Sequence, residues 1–137
     1  MMEEELRTMI LDYLQKGFLE NIIDMFKHDK NLYPLIVDML KDERIRVRLG
    51  GVALVEELAK TSREEFAVIL PDIFFLLKDP NPTLRGDAAY LLGIIGLEKA
   101  LPALLEASDD EDVNVREAVI DSVQHIESLN AKRVFIA

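Results

Sequence analysis

The hydrophobic positions of the chain recur with the spacing of α-helices. The first apolar stripe stops near Gly17 and consists of Leu6, Met9, Ile10, Tyr13 and Leu14. A second stripe consists of Leu19, Ile22, Ile23 and Phe26. Apolar residues three, four, seven and eight positions apart lie on one face of a helix, so both stretches are predicted to be amphipathic helices. No stretch shows the alternation of a β-strand, which predicts an all-α protein.

Three stretches further along the chain share one pattern. Each has an aspartate, an aliphatic residue five positions later and an arginine six positions later: DERIRVRLGGV from Asp42, DPNPTLRGDAA from Asp79 and DEDVNVREAVI from Asp110. The arginines are Arg48, Arg85 and Arg116. Apolar residues follow each arginine at plus seven and plus ten, on one helical face. The pattern indicates an internal repeat, and such repeats predict a repeat architecture.

A second set of positions recurs with the same spacing. Pro34, Pro71 and Pro102 each stand eight residues before one of the aspartates, and both the prolines and the arginines are 37 and 31 residues apart. The six extra residues of the longer spacing therefore fall between Arg48 and Pro71, around AKTSREEF. Each repeat is predicted to contain a helix headed by proline, a turn at aspartate and a second helix that carries the arginine.

Local signals mark where some of these helices begin and end. Asn81 followed by Pro82 is typical of an N-cap and a first helical residue, and Gly96 is typical of a helix end. Ser62 and Glu65 have the spacing of a capping box. They predict that the helix before Phe74 begins ahead of Pro71 and that the proline kinks it.

On these residues the sequence resembles the HEAT-repeat family, in its short 31-residue, lyase-type variety. The resemblance covers roughly residues 31–128, whereas residues 1–30 fit only as divergent N-terminal helices and 129–137 form a C-terminal tail. It implies one domain, residues 1–137, built as a right-handed α–α superhelix of antiparallel helix pairs, a solenoid of the HEAT or armadillo type. Function does not follow from such a fold, because the family includes scaffolds, transport factors and a few enzymes.

The repeated arginines need partners, because an isolated buried arginine would be costly. The resemblance implies that aspartate and arginine form a structural ladder, in which each arginine bonds across the turn to aspartate or to a neighbouring carbonyl. A guanidinium suits this role because it is always charged and binds carboxylates in a bidentate manner. The alternative is an anion-binding site. The predicted ladder consists of Asp42 and Arg48, Asp79 and Arg85, and Asp110 and Arg116.

The charge balance disfavours nucleic acid as a partner. The chain has a net charge of −10, with 26 acidic and 16 basic residues. Nucleic-acid binding depends on lysine and arginine against phosphates, and the candidate patch is KDERIRVR, residues 41–48, provided that Lys41, Arg44 and Arg46 share a face. The chain lacks cysteine, a secretory pattern and a long apolar stretch, which favours a cytoplasmic protein. Low glutamine content with no cysteine is weakly typical of a thermophilic source.

The residue types that carry chemistry do not form a convincing catalytic or metal site. His28 and His125 both have carboxylates nearby, but His125 and Glu127 are two residues apart and point to different sides of a helix. The acidic run Asp109–Asp112 lacks the spaced ligands and the glycine of a calcium loop. It fits a turn whose carboxylates cap the following helix. We therefore predict no cofactor, no metal and no enzymatic activity.

The helices headed by proline separate into a core side and an outer side. Positions plus two, three and six from each proline are predicted to be core: Ile36, Val37, Leu40, Ile73, Phe74, Leu77, Leu104 and Leu105. Positions plus one and plus four give Leu35, Asp38, Asp72, Phe75 and Glu106, which would form a partner surface if these helices line the concave face. An aromatic anchor ringed by carboxylates suits a basic, amphipathic peptide. The alternative is that Phe75 packs against the six-residue insertion.

The C-terminus adds a second candidate surface. An open repeat array exposes its last helix pair unless something covers it. Val134, Phe135 and Ile136 would fold back over that pair or mediate a homodimer. The sequence therefore predicts a scaffold module that binds a protein segment, as a monomer or a homodimer. The alternatives are an accessory or lyase-like role in cofactor attachment, and nucleic-acid binding through residues 41–48.

Overall fold

The chain folds into helices throughout the part that the structure describes. This computed structural model describes the backbone of residues 2–136 and the side chains of residues 3–132. Its α-helices are α1 Met2–Lys16, α2 Leu19–His28, α3 Leu35–Lys41, α4 Ile45–Ala59, α5 Leu70–Leu76, α6 Pro82–Ile95, α7 Leu101–Glu106 and α8 Val113–Ile136. Short 3-10 helices span Lys30–Leu32, Arg63–Ile69 and Glu98–Ala100. Residues 2–136 contain no β-strand, so the predicted all-α class is confirmed.

Contacts group the residues into two compact units, where the sequence predicts one domain. The first unit is Met1–Val68 and the second is Ile69–Ala137. In the first unit α4 packs against α1, α2 and α3, and in the second unit α8 packs against α6 and α7 while α5 packs against α6. The second unit thus holds two of the three predicted repeats, and the first unit holds the third together with α1 and α2. None of the helices in the described residues is long and apolar enough to cross a membrane.

The core of the first unit includes an aromatic cluster around Tyr33. The ring of Tyr33 lies 6.0 Å from that of Phe26 and 5.0 Å from that of Phe66, centroid to centroid. All three side chains are buried. Burial raises the pKa of Tyr33, and the side-chain hydrogen bond with Ser62 opposes that rise in part. Because Phe66 belongs to the residues that precede Pro71, this cluster anchors the inserted segment to the first unit.

The core of the second unit depends on a close approach of α6 and α8. A Cβ atom added to Gly93 would overlap Ser122 Oγ and would lie 2.6 Å from the Cβ and 2.8 Å from the Cα of Ser122. The Ser122 hydroxyl donates a hydrogen bond of 2.6 Å to the carbonyl oxygen of Ala89. Glycine is therefore required at position 93 by the spacing of the two helices rather than by its backbone angles.

The helix boundaries follow the local signals at most positions. Pro34 is the N-cap residue of α3, and Pro71 and Pro102 lie in the first turns of α5 and α7. The side chain of Asn81 accepts a hydrogen bond of 2.9 Å from the backbone N–H of Thr83. Gly96 ends α6 with φ of 73°, a left-handed conformation in which glycine is favoured. The predicted cap and stop of α6 are confirmed.

One prediction about these helices is confirmed in part and another is wrong. Helical residues begin ahead of Pro71, because a 3-10 helix spans Arg63–Ile69 directly after Ser62, but α5 itself begins at Leu70 and Pro71 lies in its first turn. Proline is tolerated in a first turn because the N–H groups there have no partner within the helix, so Pro71 does not kink α5. Leu105 was predicted to be core but is 57% exposed, because α7 turns the adjacent Leu104 into the core.

The last helix includes most of the predicted tail. α8 continues to Ile136, so residues 129–136 extend that helix and do not begin a separate segment. The side chains of Val134, Phe135 and Ile136 lie outside the described residues. Their proposed packing or pairing with another chain stays a prediction.

Candidate binding groove

A groove in the second unit runs between α5 and α7. It has a volume of about 510 Å³, and its lining includes Phe74, Phe75, Lys78, Pro102, Ala103 and Glu106. Most of its lining surface is apolar, and charged side chains also contribute to the lining. We call it the Phe75 groove.

The exposure of Phe75 follows from its position on α5. Ile73, Leu76 and Leu77 are buried, and these positions lie on one helical face. Phe75 falls on the opposite face and is 82% exposed, more than any other large hydrophobic side chain of the described residues. The alternative, in which Phe75 packs against the insertion, is wrong. The insertion contributes its own aromatic ring, that of Phe66, which packs against Tyr33.

The repeat register explains why Phe75 of α5 and Glu106 of α7 line the same groove. Phe75 and Glu106 both stand four residues after the proline of their repeat, so adjacent repeats bring them to the same groove. Lys78 Nζ lies 3.5 Å from Glu106 Oε1, and both side chains are exposed. Exposed pairs of this kind contribute about 0–1 kcal/mol. The pair can therefore separate at little cost when another molecule enters the groove.

The other predicted partner residues lie apart from Phe75 or have a different environment. Asp72 is exposed on α5, one turn before Phe75. Leu35 and Asp38 belong to the first unit and are half-buried, and Asp38 Oδ1 lies 3.5 Å from Arg7 Nε. Of the five predicted residues, the groove lining thus includes Phe75 and Glu106.

The repeated aspartates make the turns between paired helices. In each repeat the carboxylate accepts a hydrogen bond of 2.8 or 2.9 Å from the backbone N–H two residues later. The pairs are Asp42 with Arg44, Asp79 with Asn81, and Asp110 with Asp112. Such a bond is the one by which aspartate stabilises a turn before a helix.

The repeated arginines bind these turns in the second unit. Arg85 Nη1 donates to the carbonyl oxygens of Asp79 and Pro80, at 2.9 and 3.2 Å. Its Nε and Nη2 atoms donate to the two carboxylate oxygens of Asp110, at 2.9 and 3.1 Å. Arg116 Nη1 donates to the carbonyl oxygen of Asp110 at 2.7 Å. The bidentate pair holds the pKa of Asp110 below its ordinary value. Arg85 is satisfied by the framework next to the Phe75 groove.

The first unit has a different arrangement at the corresponding aspartate. Arg44 Nε and Nη2 donate to the carboxylate of Asp42, and Arg44 Nη1 donates to Asp12 of α1 at 2.8 Å. These bonds lower the pKa of Asp42 and raise that of Arg44. Arg44 is thus neutralised by two carboxylates, which weakens the basic patch proposed for residues 41–48. Arg48 is half-buried.

The histidines have environments typical of surface residues. His28 is exposed, and its Nδ1 atom lies 2.8 Å from the carbonyl oxygen of Asp24. His125 and Glu127 are also exposed. Among the side chains that the structure describes, no three metal-ligating groups come together in a potential metal site.

Sequence reasoning missed a second groove, which lies in the first unit. It has a volume of about 700 Å³ between α2 and α4, and its lining includes Glu20, Ile23, Asp24, Ala53 and Glu56. The second apolar stripe contained a signal for this groove. Ile23 follows the buried Ile22 and therefore lies toward the edge of the apolar face of α2. This groove is more polar than the Phe75 groove.

Comparison with known proteins agrees with the repeat pattern. A family model for HEAT repeats matches residues 33–124, about two thirds of the chain. No curated protein matches the chain significantly. HEAT repeats generally mediate protein–protein interaction and are typically non-enzymatic. The match covers the aspartates, the arginines and the prolines on which the repeat was recognised, and the chain belongs to the HEAT-repeat family.

Proposed function

We propose that this protein is a non-enzymatic interaction module that binds a segment of another protein in the Phe75 groove. The observation that carries the proposal is the 82% exposure of Phe75 in the lining of a mostly apolar groove. Large aromatic side chains are costly to leave in water, and they are enriched among residues that dominate binding energy.

The shape of the groove supports a segment rather than a flat surface as the ligand. Phe74 and Phe75 of α5 line the groove together with Pro102 and Ala103 of α7. A side chain inserted between the two helices would lose contact with water. Apolar grooves between helices are a recurrent site for short helical or extended peptides.

The carboxylate of Asp110, which lines the groove, has a structural role, and its environment does not suit a catalytic group. The pKa of Asp110 is lowered because Arg85 binds its carboxylate, and Asp112 donates a backbone hydrogen bond to it. A carboxylate held ionised by a bidentate arginine is a poor general base. The proposal therefore rests on binding alone.

A pull-down with a matched pair of variants tests the proposal. Wild-type protein, Phe75→Ala and Leu105→Ala would be immobilised at equal density and exposed to lysate of the source organism. Leu105 is a suitable control because it is 57% exposed on α7 and lies outside the groove lining. Both substitutions are at the surface, where a change in stability of less than about 0.5 kcal/mol is expected.

We expect a protein that wild type and Leu105→Ala retain and Phe75→Ala loses. With that protein purified, Phe75→Ala should weaken the affinity at least about tenfold, as for an anchor residue. Equal retention by all three proteins would place the contact outside the groove and refute the proposal. A fall in the melting temperature of Phe75→Ala would also count against it, since it would show a role in folding.

A further inference from the structure

The acidic run at the end of the Phe75 groove divides into two functional halves. Asp110 and Asp112 belong to the framework: the first is bound by Arg85, and the second accepts hydrogen bonds of 2.8 and 3.2 Å from the backbone of Asn114 and Val115. These two carboxylates are therefore occupied by the turn and the start of α8.

The other two carboxylates of the run project into solvent. Asp109 is exposed and lines the Phe75 groove. The side chain of Glu111 is 92% exposed, and its nearest cation, Arg85 Nη2, lies 4.0 Å away and already binds Asp110. The turn between α7 and α8 therefore presents negative charge beside one end of an apolar groove.

The positive groups of the groove do not cancel this charge. Lys78 pairs with Glu106, so it neutralises a different carboxylate. Lys99 also lines the groove, but it precedes α7 whereas Asp109 follows it. The second unit as a whole has twelve acidic and six basic residues. The field around the groove thus favours a cation at the end formed by the α7–α8 turn.

We propose that the occupant of the Phe75 groove is a protein segment with an apolar side chain and, next to it, a basic residue that faces Asp109 and Glu111. The inference rests on the proposed function, because it names the chemistry of the segment that the groove binds. The apolar side chain contacts Phe75 and the apolar lining from α7, and the lysine or arginine meets the two exposed carboxylates. An acidic segment or a nucleic acid would be repelled by the same groups.

Selection from a phage-displayed library of random 12-residue peptides tests both levels of the proposal. The library would be selected separately on wild type, on Phe75→Ala and on the double variant Asp109→Lys, Glu111→Lys. A control double variant, Glu117→Lys with Asp121→Lys, changes the net charge equally at exposed positions of α8 outside the groove lining. Circular dichroism and melting temperatures would verify that each variant is folded.

We expect wild type and the control variant to select peptides with an aromatic or aliphatic residue beside lysine or arginine. Phe75→Ala should lose these peptides. The Asp109→Lys, Glu111→Lys variant should bind them about 3- to 30-fold more weakly, as two exposed ion pairs allow, and its own selection should no longer favour basic residues. The affinity for wild type should also fall with added salt.

The outcomes separate the two proposals. Peptides that depend on Phe75 but show no preference for basic residues would overturn the inference and leave the proposed function standing. An equal loss of affinity in the control variant would also overturn the inference, since it would reflect net charge alone. If no peptide is selected, or if Phe75→Ala selects the same peptides as wild type, both proposals fail.

Discussion

Replacing Gly93 by alanine tests how closely α6 packs against α8. The added Cβ would overlap Ser122 Oγ and would lie 2.6 Å from the Cβ and 2.8 Å from the Cα of Ser122. The hydroxyl can rotate away, but the other two atoms move only if the backbone of α8 moves. The two helices must therefore separate locally, in a part of the unit where Ala89 and Leu92 are fully buried.

The expected magnitude is the difference between two opposing effects. Alanine is favoured over glycine inside a helix by about 1 kcal/mol. Overpacking of a core typically costs about 1–3 kcal/mol, and a backbone obstruction places this site toward the upper end. We expect Gly93→Ala to lower the free energy of unfolding by about 2 kcal/mol.

Gly86 provides a matched control on the same helix. A Cβ at this position would have its nearest neighbour, Val115 Cγ2, at 4.0 Å, which is an ordinary contact. Only the propensity effect then applies, so Gly86→Ala should raise the free energy of unfolding by about 0.5–1 kcal/mol. The same chemical change thus has opposite signs at two positions seven residues apart.

Urea unfolding followed by circular dichroism at 222 nm would measure the effect. With a slope of about 2 kcal/mol/M, Gly93→Ala should lower the midpoint by about 1 M and Gly86→Ala should raise it by less than about 0.5 M. Adding Ser122→Ala to Gly93→Ala should not restore stability, because the Ser122 Cβ and Cα remain. If Gly93→Ala were as stable as Gly86→Ala, the helices would be further apart than the structure has them, and the reasoning would be refuted.

Three further predictions follow from the framework contacts. Arg85→Met should destabilise the second unit by about 1–3 kcal/mol, because it removes two charge-assisted hydrogen bonds from the half-buried carboxylate of Asp110. Arg85→Lys should cost less since it keeps the charge. Equal midpoints in urea for wild type and both variants would contradict this prediction. The pKa of Asp110 is lowered in the folded state, so the ionised carboxylate stabilises the fold above about pH 4, and this stabilisation is lost as the pH falls through the lowered pKa. The melting temperature of Asp110→Asn should therefore decline less than that of wild type as the pH is lowered below about 4. Phe66→Ala should cost about 3–5 kcal/mol through loss of the contact with Tyr33, and a cost below 1 kcal/mol in urea titrations would show that the insertion is not anchored there.

Much of the fold could be predicted from sequence because its signals are local. The apolar spacing of α1 and α2, the cap at Asn81 and the stop at Gly96 each act within one or two helical turns. The repeat adds a register, since residues at the same position of adjacent repeats occupy equivalent places. This register brings Phe75 and Glu106 to one groove, a pairing that follows from their shared distance to proline.

Other features could not be predicted because they depend on elements distant in the sequence. The insertion could have formed a regular helix by its capping signal, yet Phe66 packs against Tyr33 and the segment adopts a 3-10 conformation. Leu105 is apolar and stands at a predicted core position of its repeat, but no helix of the described chain covers its side chain. Arg44 and Asp12 meet across 32 residues, which no local pattern indicates.

The helices, their repeat and the apolar side of each helix can be read from the chain, because hydrogen bonding and side-chain direction within a helix depend on nearby residues. Which apolar side chains are covered and which charges are neutralised depends on how the helices pack. Arg85 and Phe75 illustrate the division: both positions are set by the repeat, but Arg85 is satisfied by Asp110 whereas Phe75 remains exposed. Burial and ion pairing are properties of the space between helices, and that space exists only once the helices have packed.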